Sequence, residues 1–181
     1  MYFKKIELTF PDINYEKLKG SPCEGYGETF RQFRIRDLFY LHSLIKNKIK
    51  FNVKPDHAFC VEISEYGAEP HKDQCVTALN VYIDTADCTT TYWKPKTELT
   101  ETIISGLHDN TLIIKSYHLD DLAPVASFKA NVGDAYLLNV NEIHSVLKPV
   151  HDKNSRKILR WIWDTADFET VLAGIEILDK S

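Results

Sequence analysis

The 181-residue chain is 44 % hydrophobic and 27 % charged, enough for one domain with a sizeable core, because a chain of this size hides about 70 % of its unfolded surface. Its net charge of −4 and pI near 6.0 exclude a global field that would draw it onto nucleic acid or an anionic membrane. Cys23, Cys60, Cys75 and Cys88 form no Cys-x-x-Cys pair, which excludes a zinc ribbon or a thioredoxin-like redox site.

The N-terminus runs from Met1 into Lys4, Lys5 and Glu7 before an apolar signal core could form, and no later stretch approaches a membrane span. A cytoplasmic, reducing location with thiols, mostly buried, is expected. Lys4, Ile6, Leu8 and Phe10 open the chain as a short strand that Pro11 ends. Pro22, Gly25 and Gly27 mark a loop over Ser21 to Gly27. Phe30, Phe33, Ile35, Leu38, Leu41, Leu44 and Ile45 recur at near-helical spacing, predicting one amphipathic helix from Glu28 to Lys48 that packs flat on the outside of a sheet.

Seven β-branched or aromatic runs follow: Ala58–Ile63, Thr77–Ile83, Thr89–Trp93, Thr111–Lys115, Ala135–Val140, His144–Leu147 and Lys157–Trp163. Short connections between them predict a mainly β sandwich or small barrel, closed by a terminal helix over Asp167 to Leu178. The segment Lys94 to Asn110 reads either as a loop near the mouth that carries substrate contacts or as an ordinary connection. No repeat, low-complexity tract or linker divides residues 1–181, so a single domain is expected.

Chemistry concentrates at His71-Lys72-Asp73, with His144 far downstream and Arg156 and Arg160 beyond it. Two imidazoles and one carboxylate form the facial set that holds a ferrous ion and leaves the opposite coordination face open. A double-stranded β-helix, or jelly roll, can return a distant histidine beside an early His-x-Asp pair. Gly67 to Pro70 reads as a turn that presents the pair at a strand edge, and the turn His151 to Ser155 leads into the last strand. There Arg156, Ile158, Arg160 and Ile162 share one face, opposite Trp161 and Trp163, which are expected to pack as outer core against a helix. On the middle strand Ala78, Asn80 and Tyr82 share a face, where Asn80 and Tyr82 either bond a co-substrate or serve structure alone.

Pro70-His71-Lys72-Asp73, Leu79-Asn80-Val81-Tyr82, Gly133-Asp134-Ala135-Tyr136, His144-Ser145-Val146 and Arg156-Lys157-Ile158-Leu159, in that order, resemble the motif succession of compact 2-oxoglutarate and Fe(II)-dependent oxygenases of the prolyl-hydroxylase-like type, some of them phage-encoded. The resemblance spans roughly residues 58 to 163 and implies a jelly-roll core with flanking helices. It implies that His71, Asp73 and His144 ligate Fe(II), and that Arg156, with Arg160 as the alternative, clamps the distal carboxylate of 2-oxoglutarate. It further implies that O2 is consumed as 2-oxoglutarate is decarboxylated to succinate and a C–H bond is hydroxylated. Asp73 favours hydroxylation over halogenation, because related halogenases lack that carboxylate. Ile158 departs from the family pattern, which commonly has a hydroxyl residue two positions beyond the clamp.

The substrate is expected to be a small molecule or polypeptide, with a lean toward an amino-acid residue. Other readings are a non-catalytic jelly-roll or cupin-like binding or structural module, and a cupin dioxygenase that binds its substrate directly. The basic run Arg31, Arg34, Arg36, Lys46, Lys48 and Lys50 reads as a solvated face, not a nucleic-acid contact. His42, His57, His108, His118 and His151 have no comparable setting. The oligomeric state is not legible.

Overall fold

The computed structural model describes residues 1–10, 13–23, 30–63, 67–98, 102–104, 114–147 and 154–178. In chain order these form β1 (Phe3–Thr9), α1 (Tyr15–Leu18), β2 (Lys19–Pro22), β3 (Phe30–Ile35), α2 (Leu38–Ile45) and β4 (Ile49–Phe51). Then come β5 (His57–Ile63), β6 (Ala68–Lys72), β7 (Thr77–Asp84), β8 (Thr89–Pro95), β9 (Thr102–Ile104) and β10 (Ile114–Ser116). The chain continues through β11 (Leu122–Lys129), β12 (Asp134–Asn139), β13 (His144–Leu147), β14 (Arg156–Trp163), α3 (Phe168–Gly174) and β15 (Ile175–Ile177).

Two antiparallel sheets face each other. The larger has the order β1-β12-β7-β14-β5-β3-β2 and the smaller β11-β8-β13-β6-β10-β9. From β5 to β8 successive strands alternate between the sheets, and from β11 to β14 they do so again. That winding is a double-stranded β-helix, and the fold is a mainly β jelly roll. Among the described residues no helix is long and apolar enough to cross a membrane.

The large sheet is buried on both sides because alternation along its strands sends two apolar sets in opposite directions. Leu79, Val81, Leu137, Leu159, Trp161 and Trp163 pack outward against Leu41 of α2 and Phe168 and Val171 of α3. Ala78, Tyr82, Tyr136, Leu138 and Ile158 turn inward to Tyr92, Phe128 and Val146. The tryptophans thus lie where the sequence put them, on the helix-covered face.

Several expectations need correction. The helix over Glu28 to Lys48 is in fact β3 followed by α2: Phe30 to Arg34 pairs with Ile63 to Phe59 next to the β2 edge of the large sheet, and Asp37 caps α2 by accepting from the Tyr40 backbone N–H at 2.8 Å. Sheet pairing overrode an apolar spacing that suits helix and strand alike. Residues 19–22, partly inside the expected loop, form β2, while 24–29 lie outside the described residues. Ala68 to Lys72 is strand rather than turn, entered through Gly67 at φ 72°. The strand β11 was not anticipated, and the terminal helix stops at Gly174, where Ile175 to Ile177 pair with β4. Of the run Thr111–Lys115, residues 111–113 lie outside the described residues, as do 151–153 of the final turn and much of 94–110.

Gly133 joins β11 to β12 at φ 86°, and a Cβ there would meet Phe10 O at 2.9 Å and Thr9 Cγ2 at 3.1 Å. Its N–H donates to Tyr82 O and its carbonyl accepts from Phe10 N–H. Gly133→Ala is therefore expected to destabilise the protein by about 1–3 kcal/mol, measured by urea unfolding.

The next residue, Asp134, has a buried carboxylate that accepts from Lys5 Nζ at 2.8 Å and from Asn131 N–H at 2.9 Å. Burial works to raise its pKa, but Lys5 and Asn131 outweigh burial and hold it below the usual range. A carboxyl depressed in the folded state stabilises above its unfolded pKa, near 4, and loses that contribution as pH falls through the folded value. Asp134→Asn is expected to unfold at lower urea than the parent at pH 7, with the gap narrowing at pH 3.

Candidate metal centre

β6 and β13 are neighbours in the small sheet, and their register sets His71 directly opposite His144. The imidazole centroids lie 4.5 Å apart. Asp73 stands two residues past His71, just beyond the end of β6, where its N–H donates to Val140 O at 3.0 Å. One ligand atom from each of His71, Asp73 and His144 lies within 4.8 Å of the other two. His71 Nε2 and Asp73 Oδ1 are 3.3 Å apart, close to the roughly 3 Å between adjacent ligands at metal bonds of about 2.1 Å.

Backbone carbonyls aim both rings. His71 Nδ1 lies 2.6 Å from Glu69 O and His144 Nδ1 lies 2.9 Å from Glu142 O. A carbonyl can only accept, so each Nδ1 donates, and in the neutral ring Nε2 is left with the lone pair that a metal would take. Burial first, and then the neighbouring His71, push the His144 pKa down to about 4, so that ring is neutral at pH 7. For His71 burial works downward too, but the Asp73 hydrogen bond outweighs it and raises the pKa. Burial would raise Asp73; the Arg160 guanidinium and His71 overcome it and hold the carboxyl well below its ordinary range. A buried ionised carboxylate and two Nε2 lone pairs suit a divalent first-row cation.

Arg160 donates through its NH2 group to Asp73 Oδ2, the oxygen turned away from His71, and approaches Cys75 Sγ at 3.8 Å. Its Cα partner across the ladder is Asn80, whose Oδ1 is buried with no hydrogen-bond partner among the described residues. Burial pushes the Cys75 thiol up to about 12, so it stays protonated.

Arg156 lies four residues earlier on the same face of β14, about 13 Å away along the strand. It is 1 % exposed. Both terminal guanidinium nitrogens donate to Thr90 Oγ1 on the facing sheet at 3.1 Å, and the group sits 4.5 Å from the Tyr82 ring centroid. No carboxylate pairs with it among the described residues, and its Nε has no acceptor. The hydroxyls of Tyr82 and Tyr92 are likewise buried without a hydrogen-bond partner among the described residues. Tyr92 packs beside His144: the ring centroids are 5.7 Å apart, and burial together with the nearby Tyr82 raises its phenol well above the usual range.

The structure thus brings together His71, Asp73, His144 and Arg160, and sets Arg156, Asn80 and Tyr82 in the same inter-sheet interior. Thr90 and Tyr92 were missed. Their alternation on β8 was a signal, but nothing in one sequence says which strand they face.

No family model matches the sequence. No curated protein matches it either. Among solved structures, HygX from Streptomyces hygroscopicus with nickel and 2-oxoglutarate bound is similar at a TM-score of 0.45 and 9 % identity, over 92 % of this chain and 84 % of that one. HygX with nickel, 2-oxoglutarate and hygromycin B bound gives 0.46 and 11 %, over the same shares. Vicilin from Corylus avellana (hazelnut) gives 0.43 and 11 % over 89 % of this chain, which spans 33 % of the vicilin chain. Likenesses this distant carry no function across.

Of the other histidines, His57 Nε2 lies 3.7 Å from Asp164, and His108 and His151 fall outside the described residues. Within the basic run, Arg31 pairs with Glu62, Arg36 donates to Glu16 O, and Lys50 pairs with Glu176.

Proposed function

We propose that residues 1–181 form one 2-oxoglutarate and Fe(II)-dependent oxygenase domain of the prolyl-hydroxylase-like type, hydroxylating a C–H bond of an amino-acid residue or small metabolite. The observation that carries this reading is the buried Arg156 guanidinium, which no carboxylate meets among the described residues, on the same strand face as the arginine that touches the His71-Asp73-His144 cluster. An unpaired buried cation is costly, so a fold that keeps one is built to receive an anion. A 2-oxo diacid has the matching chemistry: one end chelates a metal and the other is a carboxylate for a guanidinium.

In this reading Nε2 of His71, Nε2 of His144 and Asp73 Oδ1 hold the metal, which supplies the redox chemistry that splits 2-oxoglutarate and oxidises the substrate. Arg156 binds the distal carboxylate, and Thr90, which accepts from both terminal nitrogens, orients the guanidinium. Tyr82, Tyr92 and Asn80 offer polar atoms along the path between the two ends. The large sheet and its helices exclude water from that path.

Anaerobic addition of Fe(II) and 2-oxoglutarate should produce a weak visible charge-transfer absorption, and succinate should form in air when a substrate is found. A jelly-roll binding module without turnover would stay colourless. Screening amino acids, peptides, small metabolites and nucleic acids for stimulated succinate formation identifies the substrate class.

A further inference from the structure

Because β3 is a strand, Arg31 and Arg34, three residues apart, point to opposite faces of the large sheet. Arg31 turns outward and meets Glu62 at 2.9 Å. Arg34 turns inward, to the face that carries Phe59 and Arg160: the register runs Asn80, Arg160, Phe59, Arg34 across β7, β14, β5 and β3. Exposure rises along that row, from buried Asn80 and Arg160 through half-buried Phe59 to exposed Arg34. The metal cluster opens the same way. The side chains of His71, Asp73 and Arg160 keep 12 %, 15 % and 11 % of their exposure, whereas Tyr82, Tyr92 and Arg156 keep 1 % or less. The way in from solvent therefore passes Arg34 and Phe59, and the Arg156 end is closed. Beside Phe59, the His57 ring lies 5.7 Å away, with its Nε2 3.7 Å from Asp164. Among the described residues no carboxylate pairs with Arg34.

Resting on the function proposed above, we infer that Arg34 and Phe59 form the substrate subsite, and that the substrate is a small carboxylic acid of amino-acid size with an apolar body. Its carboxylate meets the Arg34 guanidinium, whose planar fork can make two charge-assisted hydrogen bonds. Its apolar part lies over Phe59 and reaches the metal centre beside Arg160. An apolar surface with one placed charge is the usual composition of a small-molecule site. Neighbouring strands are about 4.8 Å apart, so the row from Arg34 to Arg160 spans about 10 Å, a scale that one such acid fills. The interior of a polypeptide has no main-chain carboxylate to offer there.

The test is binding of valine, leucine, isoleucine, methionine, phenylalanine and proline, and of the carboxamide of each, to protein carrying Mn(II) and 2-oxoglutarate. Paramagnetic relaxation of the probe's protons reads both affinity and nearness to the ion. In the parent at least one acid should be relaxed and should bind about tenfold more tightly than its amide. Arg34→Gln changes an exposed side chain, so the fold should hold, and it should bring acid and amide level. Phe59→Ala should weaken acid and amide alike.

An acid preference that persists in Arg34→Gln, as direct chelation of the ion would give, overturns the inference while the proposed function stands. Relaxation of none of the acids, by protein that holds Mn(II) and 2-oxoglutarate, does the same. Unchanged affinities in Phe59→Ala remove Phe59 from the subsite. If the parent takes up no Mn(II) with 2-oxoglutarate, the proposed function itself falls and the subsite with it.

Discussion

Replacing Arg156 with Met is expected to destroy 2-oxoglutarate binding while making the ligand-free protein more stable. Arg156 is 1 % exposed, and among the described residues its guanidinium meets Thr90 and the Tyr82 face and leaves Nε without an acceptor. Truncating one member of a buried charged contact typically loses about 2–5 kcal/mol of binding, so affinity for 2-oxoglutarate should drop by about 100-fold or more. Buried ionic groups replaced by apolar side chains of similar size, by contrast, commonly gain about 1–4 kcal/mol of folding stability. At about 2–4 °C per kcal/mol, the Tm should rise by several degrees. Isothermal titration on the metal-loaded protein and thermal unfolding without ligand read the two effects separately. A variant that loses stability and keeps its affinity would mean that Arg156 is a structural strut, and Arg160→Ala would then be the variant expected to raise the 2-oxoglutarate requirement.

Replacing His144 with Ala should remove metal binding outright. Losing a ligand exceeds the 10–100-fold typical of a lost supporting contact, so at least about a 100-fold fall in Mn(II) or Co(II) affinity is expected. The His144 side chain is buried and neutral, so its removal leaves a small cavity but no stranded charge. The fold should survive with a loss of about 2–4 kcal/mol, visible as a lower urea midpoint with an unchanged slope. Metal affinity that persists in this variant would mean the cation sits elsewhere.

The strand-rich core was legible because it rests on short-range pattern, and the His-x-Asp…His cluster because the order of motifs along the chain joined the distant His144 to a local His71–Asp73 pair. Alternation names the inward face of β7, and Asn80 and Tyr82 are buried there at 6 % and 1 % exposure. Residues 30 to 35 were not legible, since their apolar spacing fits a helix and only pairing with β5 on one side and β2 on the other makes them a strand. The partner of Arg156 was invisible for a related reason: Thr90 is 66 positions away, on a strand of the other sheet, and facing across a sandwich is fixed by three-dimensional register. Arg160 could be assigned to the correct face from its spacing, but its grip on Asp73 depends on where β6 ends.

Each imidazole is steered by the peptide oxygen two positions upstream, at 69 and at 142. Because the main chain performs that task, the identities of the residues at those two positions are unconstrained by it, and substitution there should leave the aim of both rings intact. The geometry of the cluster is thereby tied to strand pairing, the least mutable property of the architecture.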